Sequence, residues 1–229
     1  MTLRVISYNV RSLRDDSPAV AEVIRQTSAD VALIQEAPRF LRWRSKAAAL
    51  ANGANMVYVT GGRTAGAMLV MSTLEVVVVE ARQVLLPKTF PLHQRGLAMA
   101  ILEKQGQRFA VASFHLGLRA EERRHHAELI VAECAAVSAT VPWVIGGDLN
   151  EEEGDPAWQT LAASRLDVWR AAREPTGRFT SPAPNPVRRI DAIFCDPAFE
   201  VVTGGVPTGM DDLIARASDH RPVLAELGA

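Results

Sequence analysis

Residues 143–156 read WVIGGDLNEEEGDP. An apolar run, Trp143, Val144 and Ile145, meets two glycines. Asp148, Leu149 and Asn150 follow, then a burst of acid in Glu151, Glu152, Glu153 and Asp155. Aromatic and β-branched residues ahead of the glycines predict a short buried strand. Alternate side chains of an extended chain share a face, so Asp148 and Asn150 point the same way where the strand runs out. Taken alone, the stretch favours a turn, because Asp, Asn and Gly are turn formers and Glu is readily solvated. The rest of the chain has to decide.

Strand and helix signals alternate on either side. Upstream, residues 3–10 (LRVISYNV) predict a strand. Residues 17–29 predict a helix with Ser17 as N-cap and Pro18 in its first turn. Residues 30–37 (DVALIQEA) predict a second buried strand, and 39–52 an Ala- and Arg-rich helix. Residues 55–61, 66–72, 74–86 and 96–116 then read as consecutive strands, with a hairpin at KQGQ, 104–107. The longest helical pattern spans 119–139. A short helix, with Asp155 as cap and Pro156 at its first position, follows the opening stretch. After a Pro-rich loop at 180–189, two late strands are expected in RIDAIFCD (189–196) and HRPVLAEL (220–227). No repeat or linker divides the chain. The expectation is one domain over 1–229, α/β in class, with two packed sheets and helices outside.

Bulk composition sets outer limits. The 229 residues are 48% apolar and 22% charged, with a net charge of −1. That is enough apolar material for a large core, and it lacks the basic excess that tight, sequence-independent nucleic-acid binding requires. The apolar run at 74–86 carries Glu75, Glu80 and Arg82, which excludes a membrane span there. Cys134 and Cys195 have no metal-ligand spacing and read as buried thiols. The N-terminus enters a strand at once, without a charged leader and apolar stretch, so a cytoplasmic protein is expected.

The predicted strand ends carry polar groups. Asn9 follows VISY, Glu36 follows VALIQ, and His115 follows VASF. Asp148 and Asn150 follow VIGG, Asp191 sits early in RIDAIF, and Asp219 and His220 precede RPVLAEL. Each alone is ordinarily a turn former, a helix-entry acid or a cap. Strands of one compact sheet bring their ends together, and ligands collect there. Hard oxygen donors such as Glu36 suit Mg²⁺ or Mn²⁺. Imidazole and carboxamide donors suit a phosphoryl group, and a carboxylate able to orient water completes a hydrolase.

The ordered set SYNV, LIQE, SFHL, GGDLN, RIDAIF and SDHRPV resembles the endonuclease/exonuclease/phosphatase superfamily over almost the whole chain, Leu3 to Leu227. The resemblance implies a four-layer α/β sandwich of two mainly antiparallel mixed sheets flanked by helices. It implies a divalent-metal-dependent phosphoesterase, with a phosphodiester as the leading substrate and a nuclease as the alternative. A catalytically silent binding module is the alternative from another class. By the same resemblance Glu36 is the principal metal ligand, with Asn9 beside it and Asp219 able to join. Asp148 orients or deprotonates water. Asn150 and His115 contact phosphate. His220 donates to a phosphate oxygen and is held by Asp191. Arg95 can reach substrate. Gly96 stands where related nucleases carry an acid that pairs with the histidine, so His115 is expected to bind phosphate without being a strong proton donor. The chain is compact for the family. Its candidate specificity segments are 57–66, 178–189 with Arg178, Arg188 and Arg189, and 208–218. A monomer acting on a small, lipid-derived or nucleic-acid phosphoester is expected.

Overall fold

The structure, a computed structural model, describes residues 1–228. In chain order it contains β1 (Thr2–Asn9), α1 (Ser17–Gln26), β2 (Val31–Gln35), α2 (Trp43–Gly53), β3 (Val57–Gly62), β4 (Met68–Ser72), β5 (Val77–Leu85), β6 (Gly96–Lys104) and β7 (Gln107–His115). Then come α3 (Ala120–Val137), β8 (Trp143–Asp148), α4 (Pro156–Ala162), β9 (Leu166–Asp167), α5 (Val168–Ala171), β10 (Glu174–Pro175), β11 (Asp191–Cys195), β12 (Glu200–Gly205), α6 (Asp211–Ala217) and β13 (Val223–Gly228). Seven strands form one sheet in the order β10-β12-β13-β1-β2-β4-β3. Six form the other, in the order β5-β6-β7-β8-β11-β9.

Three apolar clusters make the layers. Val5, Leu33, Val70, Ala100, Val111, Val144 and Ile193 fill the space between the sheets. Ile6, Ile34 and Leu69, on the opposite faces of β1, β2 and β4, pack under α1, α2 and α6 through Val20, Ile24, Leu50 and Ile214. Met99, Phe114, Ile145 and Phe194 pack under α3 and α4 through Ile130 and Trp158. Both sheets are therefore apolar on both faces. This is why their central strands read as continuous apolar runs rather than alternating ones. The four-layer α/β sandwich is present as expected.

Several boundaries differ from the sequence expectation, each for a local reason. Asp16, not Ser17, caps α1: its carboxylate accepts from the Ala19 amide at 3.0 Å. Asp155 holds the N-cap position of α4 and Pro156 its first residue as expected, but the side-chain oxygen that accepts from the Trp158 amide, at 2.6 Å, is that of Glu151, while Asp155 accepts from the Glu152 amide at 3.0 Å. The Ala- and Arg-rich helix begins at Trp43, leaving Arg39 and Arg42 in the preceding turn. The segment 208–218, given above as a candidate specificity segment without an assigned element, is mostly α6, with Ile214 and Ala217 buried against the α1 layer. The hairpin at 104–107 forms as expected, with Gln105 and Gly106 both at positive φ. Among the described residues, no helix is long and apolar enough to cross a membrane.

The register places the polar residues on one edge. β1 and β2 run parallel with Asn9 beside Gln35, and β7 and β8 run parallel with His115 beside Asp148. β11 is antiparallel to β8, so its first residue, Asp191, faces Asp148. β13 is antiparallel to β1, which brings the segment leading into it to the end of β1. Gly146 sets the sheet spacing: a Cβ there would stand 2.9 Å from the Cβ of Ser7 on β1.

Candidate active site

Asn9, His115, Asp148 and Asp191 are buried at this edge, and Asn150 and His220 are partly so. Asn9 of the first sheet donates from Nδ2 to Oδ2 of Asp148 in the second, at 2.9 Å. The other oxygen of Asp148 accepts from the Asn150 amide at 2.9 Å. Asn150 takes a left-handed backbone, φ 52, which turns the chain back so that its side chain reaches the Leu116 carbonyl at 3.0 Å. Asp148 and Asn150, two residues apart in the opening stretch, thus act on the same cluster.

His115 sits between Arg95 and Asp148. Arg95 Nη1 lies 2.9 Å from His115 Nδ1. A guanidinium can only donate, so Nδ1 accepts and the ring proton belongs on Nε2. That nitrogen lies 3.2 Å from Asp148 Oδ2. The Asn150 Nδ2 atom also stands 2.9 Å from His115 Nε2, but the bond it donates is to Leu116. Burial, and then the Arg95 charge, hold His115 well below the ordinary histidine range. It is a neutral Nε2–H donor.

His220 is the opposite case. Its Nδ1 lies 2.9 and 3.1 Å from the two oxygens of Asp191, and its Nε2 lies 3.8 Å from Asp148 Oδ2. Burial lowers its pKa, but Asp191, through charge and hydrogen bond, together with Asp148 and Asp219, outweighs burial and holds it at about 10. His220 is an imidazolium. Asp148 is raised above the usual carboxylate range by burial and then by Asp191, against the pull of His220 and its hydrogen bonds. Ligand atoms of Asp148, Asp191 and His220 lie within 4.8 Å of one another, a grouping able to hold a metal ion.

Glu36 follows β2 with a left-handed backbone, φ 52, and a half-exposed carboxylate. The nearest basic nitrogen paired with it is His115 Nδ1 at 4.0 Å, whose lone pair already faces Arg95. Asn9 Oδ1 accepts from the Arg11 amide at 3.1 Å. Asp219 points its carboxylate at Arg11 Nε, 3.2 Å away. Arg95 is only 8% exposed.

Residues 6–220 match the Endonuclease/Exonuclease/phosphatase family. The chain belongs to that family. No curated protein matches the sequence significantly. Among solved structures, a mannosyl-6-phosphatase from Bacteroides thetaiotaomicron VPI-5482 is similar with a TM-score of 0.84 at 18% identity, covering 99% of this chain and 100% of that one. D. rerio TDP2, solved with a single-strand DNA product, gives 0.80 at 19% identity, covering 100% and 99%. An endonuclease/exonuclease/phosphatase from Beutenbergia cavernae DSM 12333 gives 0.75 at 24% identity, covering 99% and 71%. At these identities the likeness is one of fold.

Within this Endonuclease/Exonuclease/phosphatase chain, the acids of the opening stretch serve the frame around the site. Glu151 is buried and pairs with Arg123 at 2.8 Å, besides capping α4. Glu152 pairs with Arg188 at 3.1 Å. Glu153 meets Arg170 at 2.6 Å, Arg189 at 3.2 Å and Arg178 at 3.5 Å. Arg189 also bonds Asp167. The basic cluster of 178–189 is therefore neutralised by the chain's own carboxylates.

Two positioning residues escaped the sequence reading. Ser218 Oγ donates to the Asn9 carbonyl at 2.8 Å, docking the segment that carries His220 onto the end of β1. Thr180 Oγ1 accepts from the amides of Ile190 and Asp191, each at 3.2 Å, and fixes the entry to β11. Ser218 directly precedes Asp219 in SDHRPV, so a signal was present. Thr180 lies ten residues from Ile190 and carried none.

Proposed function

We propose that the protein is a divalent-metal-dependent phosphoesterase that hydrolyses a phosphodiester by in-line attack of water. The observation that carries this reading is the single hydrogen-bonded network joining Asn9, Asp148, Asn150 and His115, beside the Asp191–His220 pair. It sets one imidazolium, one neutral imidazole and one carboxylate of raised pKa around a common space. Asp148 is the base: a carboxylate whose proton affinity is raised toward neutrality suits proton abstraction from water. The water oxygen bonds to phosphorus, its proton passes to Asp148, and the ester P–O bond opposite breaks. Charge accumulating on the non-bridging oxygens meets His220 Nε2–H, with the Asn150 side-chain carboxamide and the neutral His115 ring beside it. Asp191 keeps His220 charged and oriented. Arg95, buried beside His115, adds a guanidinium to the phosphate.

The donor set fits a hard divalent cation. Glu36 is a carboxylate at the site with no protonated partner, while the Asp148, Asp191 and His220 atoms are already committed to one another. We therefore assign Mg²⁺ or Mn²⁺ to Glu36, with Asn9 Oδ1 and Asp219 beside it. When bound, the cation supplies Lewis-acid stabilisation of phosphate charge. The mannosyl-6-phosphatase and the DNA-bound TDP2 of like fold bracket a range from sugar phosphates to nucleic acid. A substrate panel tests the reading: plasmid, abasic duplex, single strands, sphingomyelin, inositol phosphates and a nitrophenyl diester, each with Mg²⁺, Mn²⁺ and chelator. Metal-dependent turnover of at least one phosphoester is expected. No turnover of any member would favour a silent binding module.

A further inference from the structure

The two rims of the site differ in charge. On the 151–189 side the arginines that flank the site are held in ion pairs with Glu151, Glu152, Glu153 and Asp167. On the Glu36 side, Arg14, Arg39 and Arg95 converge with His93 and Glu36 on a cavity of about 140 Å³. None of these three arginines forms an ion pair with a carboxylate among the described residues. Their side-chain hydrogen-bond partners are imidazoles, His93 Nδ1 for Arg39 at 3.2 Å and His115 Nδ1 for Arg95 at 2.9 Å, and Arg39 also lies over the Phe40 ring, 5.2 Å from its centroid. A cleft of about 830 Å³ adjoins the cavity, sharing Arg39, Gly66 and His93 in its lining and adding Arg63 and Lys88. Gly66 lets the wall between them close up: at φ 64, a Cβ there would stand 2.6 Å from the Arg95 carbonyl carbon.

Arg95, buried and without a carboxylate in an ion pair, has lost hydration and gained little in return, while Arg39 is partly buried and Arg14 exposed to an incoming anion. Burial is the largest influence on the Arg95 charge and acts against it; Asp148, Glu36 and Glu122 support it, and Arg39 opposes it. Of the acids near Arg95, only Glu36 lines the cavity, against three arginines. Planar guanidinium forks match the oxygens of a phosphate, each able to donate two parallel bonds. Arg95 also spans the wall between the cavity and His115, so an anion in the cavity lies one guanidinium away from the reacting group.

We propose that this cavity is a second anion subsite, which takes a phosphate group carried by the substrate beyond the ester that is cleaved. The substrate is then a phosphoester bearing at least one further phosphate, with the spacer lying along Arg95. The link to turnover rests on the phosphoesterase reading, whereas the binding claim stands apart from it. The test has two arms. In the first, calorimetry in chelator compares alkane-α,ω-bisphosphates of two to six carbons with the matching alkyl monophosphates. Wild type is expected to bind the best bisphosphate about tenfold or more tightly than its monophosphate, as charge-assisted phosphate contacts imply. The Arg14→Ala/Arg39→Ala double variant is expected to lose that preference while its monophosphate affinity and melting temperature stay near wild type. In the second arm, two nitrophenyl phosphodiesters are compared whose alkyl chains end in phosphate or in hydroxyl. Wild type should favour the phosphate-terminated one in kcat/KM, and the double variant should not. Equal affinities in wild type across the whole series, or a preference that survives in the double variant, overturns the subsite. Turnover of both diesters without preference overturns it while leaving the phosphoesterase reading intact. Bisphosphate preference with no turnover of any ester supports the subsite and overturns the phosphoesterase reading instead.

Discussion

Asp191→Asn separates two things that Asp191 does to His220: it aims the ring and it keeps the ring charged. In the native site His220 titrates at about 10 against an ordinary value of 6.5, because Asp191, with Asp148 and Asp219, more than offsets burial. An asparagine can still accept a hydrogen bond from Nδ1, but the carboxylate charge is gone and burial is left less opposed. The His220 pKa then falls to the ordinary range or below it. At pH 8 a group of pKa about 10 is ~99% protonated, and one at 6.5 only about 3%. At pH 6 both are mostly protonated. The ratio of wild-type to variant kcat should therefore rise about 25-fold from pH 6 to pH 8, on top of any constant loss from poorer aim. The assay is a pH–rate profile on whichever ester is turned over, with the His220 ring followed by NMR titration. A ratio that stays flat across this range, or a His220 resonance still titrating above pH 9 in the variant, refutes the reasoning. The linked stability has a definite sign. A raised folded-state pKa gives stability that is fully present below about 6.5 and lost as pH rises through about 10. The melting gap between wild type and variant should accordingly be widest at low pH and shrink above neutrality.

Glu36→Gln should remove about 10²-fold or more of the divalent-dependent rate, and wild type should stop in excess chelator; full turnover in chelator would sink the metal assignment. Asp148→Asn and His220→Ala should each cost about 10²-fold or more in kcat while circular dichroism stays native. Wild-type turnover in either would show its role to be misassigned. Arg95→Met should raise KM about tenfold with a smaller change in kcat. It should also let the His115 pKa rise, since the Arg95 charge is the next cause after burial holding it down. An unmoved His115 titration would contradict the Nδ1 contact.

Much of the fold was legible because each central strand is buried on both faces and so appears as an uninterrupted apolar run bounded by Gly or polar residues. Asn9, His115, Asp148 and Asp191 were legible for the same reason, as polar residues abutting such runs. What was not legible depends on partners far apart in sequence. α6 was not read as a helix because DDLIARA is too short to show a helical period; its Ile214 and Ala217 pack into the α1 layer. The short β9 and β10 are too brief to carry a pattern and exist through pairing with β11 and β12. Arg178, Arg188 and Arg189 read as free charge until Glu152 and Glu153 were brought to them. Arg39, taken as part of a helix, lies in the turn before it, and its convergence with Arg14 and Arg95 joins three separate segments.

Gly146 and Ser7 face each other across the interior, and each sits two residues before a member of the site: Ser7 before Asn9, Gly146 before Asp148. Alternation along the strands puts Asn9 and Asp148 on the next rung of the same ladder. The 2.9 Å bond between them is therefore dimensioned by a missing methyl one rung below. Alanine at 146 would wedge the layers apart at that rung and lengthen the Asn9–Asp148 contact without touching any polar group. Tolerances at this edge are thus machined by the thickness of the interlayer, and a volume change in its filling propagates to the reacting atoms as a change of gauge.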